Sequence, residues 1–337
     1  MVTLNPLFTS HMVLQANKPV RFFGEGEGDI TVSLHGNTVN ATCGGGKWLA
    51  ELPAMPYGGP YTASVCADGV VTVLEDIYVG EVFVIAGQSN LQFKMNSGDK
   101  HLDECCDIPR MRLFSSPRLE AGEPYTPADG WVVCTKENSV NWSAVGYLTA
   151  KILEKEKNIA VGVITSYQGA SVIETWVPEG LFESLGICLN KEEKSYGHFC
   201  PEYSAWNKDG TLYNYVVEKL MPYSIGTVVW YQGESDTTLG EALVYDKELA
   251  ALIRCWREGY RDSSLPFIVV QLADLLDAAT GQVSPAWKRL QQAQLDVQKL
   301  VDNVTTVICA DVSESNDIHP PTKLPLAKRI AAVLLEK

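Results

Sequence analysis

The sequence predicts an α/β fold with a parallel sheet, preceded by a small antiparallel β-sandwich. From about residue 76 onward, short apolar runs alternate with longer segments of helical period, which is typical of parallel strands joined by right-handed crossovers. Before residue 76, short runs of β-forming residues are separated by glycine clusters. We therefore predict a jelly-roll-like β-sandwich domain at 1–75 and a second domain at 76–337.

The strands of the first domain are predicted from runs rich in β-branched and aromatic residues, at 20–23, 30–34 and 61–65. Glycines cluster between these runs at 24–28, 44–46 and 58–59, where the chain needs turns. Alternating strand and turn signals at this spacing favour a sandwich of short antiparallel strands.

The second domain contains continuous apolar runs, which are typical of strands covered on both faces. They lie at 82–86, 160–165, 227–231, 267–272 and 305–310. Segments of helical period lie at 144–157, 243–260, 287–300 and 326–335. The segment 178–208 has no clear period, and we interpret it as a loop-rich excursion of the kind that often carries function.

The charge and the composition exclude several classes of function. There are 27 lysines and arginines against 41 aspartates and glutamates, a net charge of −14, so nucleic acid and anionic membranes are poor partners. No apolar run reaches transmembrane length. The first residues lack the charged and apolar regions of a secretion signal, which predicts a cytoplasmic protein, although a removed signal would leave the same sequence.

Cysteine and histidine spacing gives no support for a metal centre. None of the nine cysteines forms a Cys-x-x-Cys pair, and we predict that they are reduced, buried thiols. No two of the five histidines are spaced i, i+4. We predict no metal and no cofactor.

Candidate catalytic residues follow the apolar runs, because ligands bind at the carboxyl ends of parallel strands. Three runs lead into Gly-x-Ser, which presents Ser89, Ser171 and Ser235, and spacing alone does not separate them as nucleophiles. A fourth run leads to Asp317 and His319. A histidine is the usual base for a serine at neutral pH, and the alternative is that His319 only caps the last helix.

Ordered sequence blocks connect the chain to a known family. Residues 84–90, Val-Ile-Ala-Gly-Gln-Ser-Asn, resemble the first block of the SGNH hydrolases, and more narrowly that of the sialate O-acetylesterase group of carbohydrate esterases. Further stretches resemble blocks of that group in the same order, at 169–176, 212–214 with 229–236, 265–273 with 291–294, and 317–320. Residues 12–15 and 46–48 also resemble its leading β-domain.

This resemblance implies a flavodoxin-like three-layer α/β/α domain with Ser89 as nucleophile and His319 as base. It also implies an oxyanion hole made of the backbone N–H groups of Ser89 and Gly169 and a side-chain amide from the third block. Many SGNH hydrolases use an asparagine there, whereas this chain has Asp236, which can only accept hydrogen bonds when ionised. We therefore predict Gln232 as the donor; the alternative is that Gln232 belongs to a buried structural network.

The acid of the triad departs from the pattern of the superfamily. The residue three before His319 is the neutral Asn316, and Asp317 lies two before it. We predict Asp317 as the acid. The alternatives are Glu234, Asp311 or a backbone carbonyl.

Substrate contacts are predicted at residues within the matched blocks, namely Gln88, Asn90, Trp176, Glu234 and Asp236. Aromatic rings can stack on sugars, and Tyr196, Tyr203 and Trp206 in the excursion are further candidates. Ordinary packing is the alternative for each of these rings.

The resemblance implies a serine esterase that removes acetyl groups from sugars through an acyl-Ser89 intermediate. The partner would be an acetylated carbohydrate, either a sialic acid or a plant-glycan oligosaccharide. A non-catalytic glycan-binding protein with the same fold is the first alternative. A glycosidase, which needs two carboxylates flanking a cleft, is disfavoured by the ordered blocks.

Overall fold

The computed structural model describes residues 2–98, 100–119 and 130–336. Its N-terminal strands are β1 (Thr3–Leu4), β2 (Val13–Gln15), β3 (Val20–Glu25), β4 (Ile30–Leu34), β5 (Asn37–Asn40), β6 (Thr42–Gly44), β7 (Lys47–Leu52) and β8 (Gly58–Ala67). An antiparallel sheet has the order β1-β3-β7-β6, and β4 pairs antiparallel with β5 and β8. The predicted N-terminal antiparallel sheet is confirmed.

A large mixed sheet forms the rest of the strand framework. Its further strands are β9 (Val70–Gly87), β10 (Ile108–Ser115), β11 (Trp131–Cys134), β12 (Val161–Tyr167), β13 (Thr227–Tyr231), β14 (Phe267–Val270) and β15 (Val304–Val307). They have the order β11-β10-β12-β9-β13-β14-β15, and every neighbouring pair is parallel except β10 with β11. The predicted α/β class is confirmed.

Strand β10 was not predicted, because charged residues interrupt its apolar pattern. Arg112 is nevertheless buried in this strand, where its guanidinium donates to Asp76 at 2.9 Å and lies 5.3 Å from the centre of the Tyr78 ring. A buried arginine paired in this way satisfies its charge within the fold, so its presence does not prevent strand formation.

Strand β9 connects the two parts of the molecule without interruption. Its first half pairs antiparallel with β8, and its second half pairs parallel with β12 and β13. The strand therefore passes straight through the predicted domain boundary at 75/76, and the division of the chain there stays a prediction. Among the described residues, no strand between 20 and 65 pairs with β10, β12, β13, β14 or β15.

The helices are α1 (Ser89–Gln92), α2 (Lys136–Ser139), α3 (Ala144–Lys157), α4 (Leu181–Ser184), α5 (Tyr196–Phe199), α6 (Glu218–Leu220), α7 (Leu239–Gly259), α8 (Pro285–Asp296) and α9 (Leu324–Leu335). Helix α7 begins four residues before its predicted start, because Thr238 caps it and forms a reciprocal pair of hydrogen bonds with Glu241. In the described ranges, no helix is long and apolar enough to cross a membrane.

The strand order reverses at β9, and this reversal positions the site. The next strand along the mixed sheet is β12 on one side of β9 and β13 on the other. Gly87 at the end of β9 is level with Tyr167 on β12 and with Tyr231 on β13. Three strands therefore end side by side, and such a switch point is where open α/β sheets bind ligands.

The nine cysteines are all free thiols and lie within the described ranges, but they are not all buried. Cys43 and Cys188 are exposed, whereas Cys105, Cys134, Cys200 and Cys309 are buried. The prediction of buried thiols therefore holds for only part of the set.

Candidate active site

A tight turn after β9 presents Ser89 at the start of α1. Gly87 has a φ of +140°, and a Cβ atom at this position would lie 2.1 Å from the carbonyl oxygen of Tyr231. Only glycine fits such a close approach of two backbones. Gln88 is extended, and its N–H donates to the Tyr231 carbonyl at 3.0 Å, which carries Ser89 to the edge of the sheet.

Ser89 and His319 meet although 230 positions separate them in the chain. The Ser89 Oγ lies 2.8 Å from the His319 Nε2. Burial and the nearby charge of Lys323 lower the pKa of His319, and the opposing effect of Asp317 does not reverse this. A neutral imidazole with a free lone pair at Nε2 can accept the serine proton, so the pair has the geometry of a nucleophile and its base.

A cavity of about 780 Å³ opens above this pair. Its described lining residues are Gln88, Ser89, Gln92, Leu119, Gln168, Gly169, Ala170, Ser195, Tyr196, Gly197, Glu202, Tyr203, Trp206, Glu234, Ser235, Thr237, Ile318 and His319. The lining combines the ends of β9, β12 and β13 with the excursion at 178–208 and the loop that carries His319. Residues of the excursion at 178–208 thus form part of the cavity wall.

Gly169 lies close to Ser89, and its N–H group already has a partner. A Cβ atom built on Gly169 would lie 3.8 Å from the Cβ of Ser89. The N–H of Gly169 donates to the Gln92 Oε1 at 3.0 Å. The Gln92 side chain therefore occupies this N–H in the structure, and the sequence analysis did not single out Gln92.

Comparison with known proteins identifies the family. Residues 79–336 match the model of the family described as carbohydrate esterase, sialic acid-specific acetylesterase. The chain belongs to this family. The match covers the Ser89 and His319 segments together with β12, β13 and the second half of β9.

Individual relatives agree with the family assignment. The chain is 23% identical to sialate O-acetylesterase from Rattus norvegicus and 26% identical to that from Homo sapiens, over 84% of this chain in each case. It spans 62% and 59% of the length of these two relatives. The crystal structure of a carbohydrate acetylesterase from Xanthomonas citri is similar with a TM-score of 0.82 and 28% identity, over 98% of this chain and 74% of that one.

Gln232 and Asp236 lie in a buried network rather than on the cavity wall. The Gln232 Nε2 donates to the Ser171 carbonyl at 2.9 Å and to the Asp236 carboxyl, so both of its amide hydrogens are used. Its Oε1 accepts from the Tyr245 hydroxyl at 2.7 Å. The structure therefore favours the alternative that Gln232 belongs to a buried structural network, because its N–H groups are not directed at the cavity.

The surroundings of Asp236 also disfavour a negative charge on its carboxyl group. Asp236 is fully buried and accepts from the backbone N–H of Ile173 at 3.3 Å. Burial and the neighbouring carboxylates of Glu174 and Glu241 raise the pKa of Asp236 well above its usual range. Its place is structural, and it does not line the cavity.

Asn90 joins Glu234 to the loop that carries His319. The Asn90 Nδ2 donates to the Glu234 Oε1 at 2.5 Å and to the Ile318 carbonyl at 2.9 Å, while its Oδ1 accepts from the buried Lys323 at 2.6 Å. Asn90 itself is buried and does not line the cavity, so it positions two residues that do. Gln88, which does line the cavity, accepts from the Gly233 N–H at 3.2 Å.

The predicted triad acid contacts the main chain of His319. The Asp317 Oδ1 accepts from the backbone N–H of His319 at 2.8 Å. Within the described part of the chain, no hydrogen bond joins Asp317 to the imidazole ring. Of the alternatives, Asp311 is paired with Arg329 at 2.6 and 2.7 Å, and Glu234 is held by Asn90.

The aromatic candidates divide into two groups. Tyr196, Tyr203 and Trp206 line the cavity, and the rings of Tyr203 and Trp206 lie 5.8 Å apart. Trp176 is completely buried, donates from its Nε1 to the Ser171 Oγ at 3.0 Å, and packs edge-on against Trp230. A ring in the core cannot stack on a sugar. Trp176 was predicted to contact substrate, whereas the structure places it in the core.

A buried ion cluster behind the cavity was missed by the sequence analysis. The His198 Nε2 lies 3.0 Å from Glu174, and its Nδ1 lies 3.1 Å from Glu241. Burial lowers the pKa of His198, but its bonds to the two carboxylates outweigh this and raise it to about 10. No local signal reveals the cluster, because its members come from segments 24 and 43 positions apart in the chain.

Ligand atoms of Glu174, His198 and Asp236 lie close enough together to hold a metal ion, within 4.8 Å of one another. Each of these groups already has a hydrogen-bonding or ionic partner in the protein. The charges of the cluster are therefore neutralised by protein groups. The cluster also attaches the short helix α5 of the excursion, which carries His198, to helix α7, which carries Glu241.

We expect His198→Asn to destabilise the protein by about 3–5 kcal/mol at pH 6, because it leaves the buried Glu241 without its cation and Glu174 with Lys194 alone. Because the pKa of His198 is raised from 6.5 to about 10, its contribution is complete below pH 6.5 and is lost as the pH rises to about 10. Urea unfolding at pH 6, 8 and 10 measures this difference. The exposed His35, whose φ is +47°, provides the matched control His35→Asn, and equal losses from both variants would contradict the assignment.

Proposed function

We propose that the protein is a carbohydrate O-acetylesterase. The Ser89 Oγ attacks the acetyl carbonyl carbon while His319 takes the hydroxyl proton, and the sugar oxygen leaves with that proton as acetyl-Ser89 forms. Water, activated in turn by His319, then releases acetate and restores Ser89. The observation that carries this proposal is the 2.8 Å contact between the Ser89 Oγ and the His319 Nε2 at the cavity.

The proposed oxyanion donors are the backbone N–H groups of Ser89 and Gly169. Their proximity and the position of Ser89 at the start of α1 support this role. The Gln92 side chain must give way, since its Oε1 holds the Gly169 N–H in the free protein. Asp317 supports the base by holding the His319 backbone, and its charge favours the imidazolium that forms during attack.

The finer fold assignment is part of this proposal. The strand reversal at β9 and the packing of α3 on α9 and of α7 on α8 support a flavodoxin-like three-layer SGNH hydrolase domain. The β-sandwich at 1–75 as a separate domain and the cytoplasmic location are likewise proposals. The retained Ser89–His319 contact favours the esterase over a non-catalytic glycan-binding protein.

Covalent labelling tests this proposal directly. A fluorophosphonate probe reacts with a serine that a neighbouring base activates, and peptide mass spectrometry locates the label. We expect stoichiometric labelling of Ser89 together with loss of acetate release from p-nitrophenyl acetate. Ser235 lines the same cavity, so Ser235→Ala is the matched control and should still be labelled at Ser89. The mechanism would be contradicted if the probe labelled a different serine. It would also be contradicted if Ser89 were not labelled while the protein still hydrolysed p-nitrophenyl acetate.

The pH dependence of turnover follows from the environment of His319. Because the pKa of His319 is lowered from 6.5, the acid limb of kcat/KM for p-nitrophenyl acetate should have its midpoint below pH 6.5. The Asp317 charge raises this pKa, so Asp317→Asn should move the midpoint to still lower pH. Steady-state rates between pH 4 and 8 measure both effects, and a midpoint that rises in Asp317→Asn would refute the assignment.

A further inference from the structure

Among the lysines of the described ranges, only Lys323 is buried, with 1% of its surface exposed. Its Nζ donates to the neutral Asn90 amide at the Oδ1, over 2.6 Å, and lies 5.0 and 5.9 Å from the centres of the Phe93 and Tyr231 rings. Burial opposes the charged form and lowers the pKa of Lys323 to about 8. Because burial of an ammonium group costs free energy, a lysine at this position indicates a function that an apolar side chain could not supply.

Lys323 fixes the orientation of the Asn90 side chain. An ammonium group can only donate hydrogen bonds, so the Asn90 Oδ1 faces Lys323 and the Asn90 Nδ2 faces away from it. In this orientation the Nδ2 donates to the Ile318 carbonyl at 2.9 Å and to the Glu234 Oε1 at 2.5 Å. A rotated Asn90 amide would turn its oxygen towards the Ile318 carbonyl and its N–H groups towards the ammonium group, and would lose all three bonds.

The peptide unit between Ile318 and His319 is held at both of its polar groups. Asn90 binds its carbonyl oxygen, and the Asp317 Oδ1 accepts from its N–H at 2.8 Å. At the other end of this segment, the Lys323 backbone N–H donates to the His101 Nε2 at 3.1 Å, where α9 begins. The orientation of this peptide unit sets the direction in which the His319 side chain leaves the loop, and the His319 Nε2 lies 2.8 Å from the Ser89 Oγ.

Lys323 also acts on His319 through its charge. Burial lowers the pKa of His319, the Lys323 charge lowers it further, and the Asp317 charge raises it. Burial raises the pKa of Glu234 to about 7, so Glu234 is largely neutral at the lower pH where His319 titrates. The titratable groups that face Lys323 from the loops after β13 and β15 are Glu234, Cys309, Glu314 and Asp317.

We infer that Lys323 is a positioning residue for the general base: it orients the Asn90 amide, which holds the peptide unit before His319 and keeps the imidazole against Ser89. Lys323 does not line the cavity, so it affects the reaction only through these neighbours. The inference rests on the proposed esterase function and adds a residue that sets the position and the protonation of its base.

Lys323→Met tests the inference, because it removes the ammonium group and keeps an unbranched side chain. A small displacement of a catalytic group is costly, so we expect kcat for p-nitrophenyl acetate to fall at least about tenfold on the alkaline plateau. KM should change less than about threefold, because Lys323 does not contact the cavity. The midpoint of the acid limb should move to higher pH, because the Lys323 charge no longer opposes protonation of His319.

Two further variants separate the effects of position and charge. Lys328→Met is the matched control, since Lys328 is an exposed lysine of the same helix α9, and it should leave kcat and the midpoint unchanged. Lys323→Gln removes the charge but keeps an N–H donor for Asn90. It should therefore share the shift of the midpoint and lose less of kcat than Lys323→Met.

The outcomes separate this inference from the proposed function. If the wild type does not hydrolyse p-nitrophenyl acetate, the esterase proposal itself fails. The esterase proposal stands and the inference is overturned if the wild type is active and the Lys323 variants keep its kcat and its midpoint. Thermal unfolding shows which variants are folded. A loss of kcat that is matched by a loss of folded protein, with an unchanged midpoint, would show that Lys323 only stabilises the fold and would also overturn the inference.

Discussion

Ser89→Ala is expected to lower kcat/KM for p-nitrophenyl acetate by about a thousandfold or more, because it removes the atom that forms the acyl intermediate. His319→Ala should cause a loss of similar size, since an unactivated serine is a weak nucleophile. The 2.8 Å contact between these side chains makes them one functional unit. The double variant should therefore be about as active as either single variant, not the product of two losses.

Steady-state kinetics on the three variants and the wild type give this comparison. Thermal unfolding of each variant provides the control, because a loss of fold would also remove activity. Both side chains are only partly buried, so the melting temperatures should stay close to that of the wild type. Activity of folded Ser89→Ala within tenfold of wild type would remove Ser89 from the mechanism.

Gly87→Ala should reduce the free energy of unfolding by about 3 kcal/mol or more and also abolish most turnover. The new Cβ would lie 2.1 Å from the Tyr231 carbonyl oxygen and 2.6 Å from its carbon, at a φ of +140° that alanine rarely adopts. Relief of this contact requires β9 and β13 to separate, and that separation displaces the turn that presents Ser89. Both stability and catalysis therefore depend on this position.

Gly44 is the matched control for the alanine substitution. It lies in a strand of the N-terminal sheet, and a Cβ built on it meets nothing within 4 Å. Gly44→Ala should change the free energy of unfolding by less than about 1 kcal/mol and leave kcat/KM unchanged. Urea unfolding and aryl acetate kinetics on both variants provide the comparison. A Gly87→Ala protein as stable as Gly44→Ala would show that the turn adapts without moving the strands.

Much of the parallel framework could be predicted because its pattern is local. The runs at 227–231 and 144–157 coincide with β13 and α3, since continuous burial and helical period are both written in neighbouring residues. Strand β10 escaped prediction because the charge of Arg112 is neutralised by Asp76, 36 positions away. A pattern of hydrophobicity carries no information about such a partner.

Some features of the candidate site could likewise be predicted from the sequence, and others depend on tertiary contacts. The sequence by itself predicted the α/β class, because strand and helix patterns are local. The pairing of Ser89 with His319 was implied by the resemblance of the ordered blocks to a known family, and the two side chains lie 2.8 Å apart in the structure. Only the tertiary structure decided that the Gln232 amide is consumed by Ser171 and Asp236. The physical reason is that hydrogen-bond donors are shared among segments far apart in the chain, so the availability of a side chain for substrate depends on contacts that local sequence does not encode.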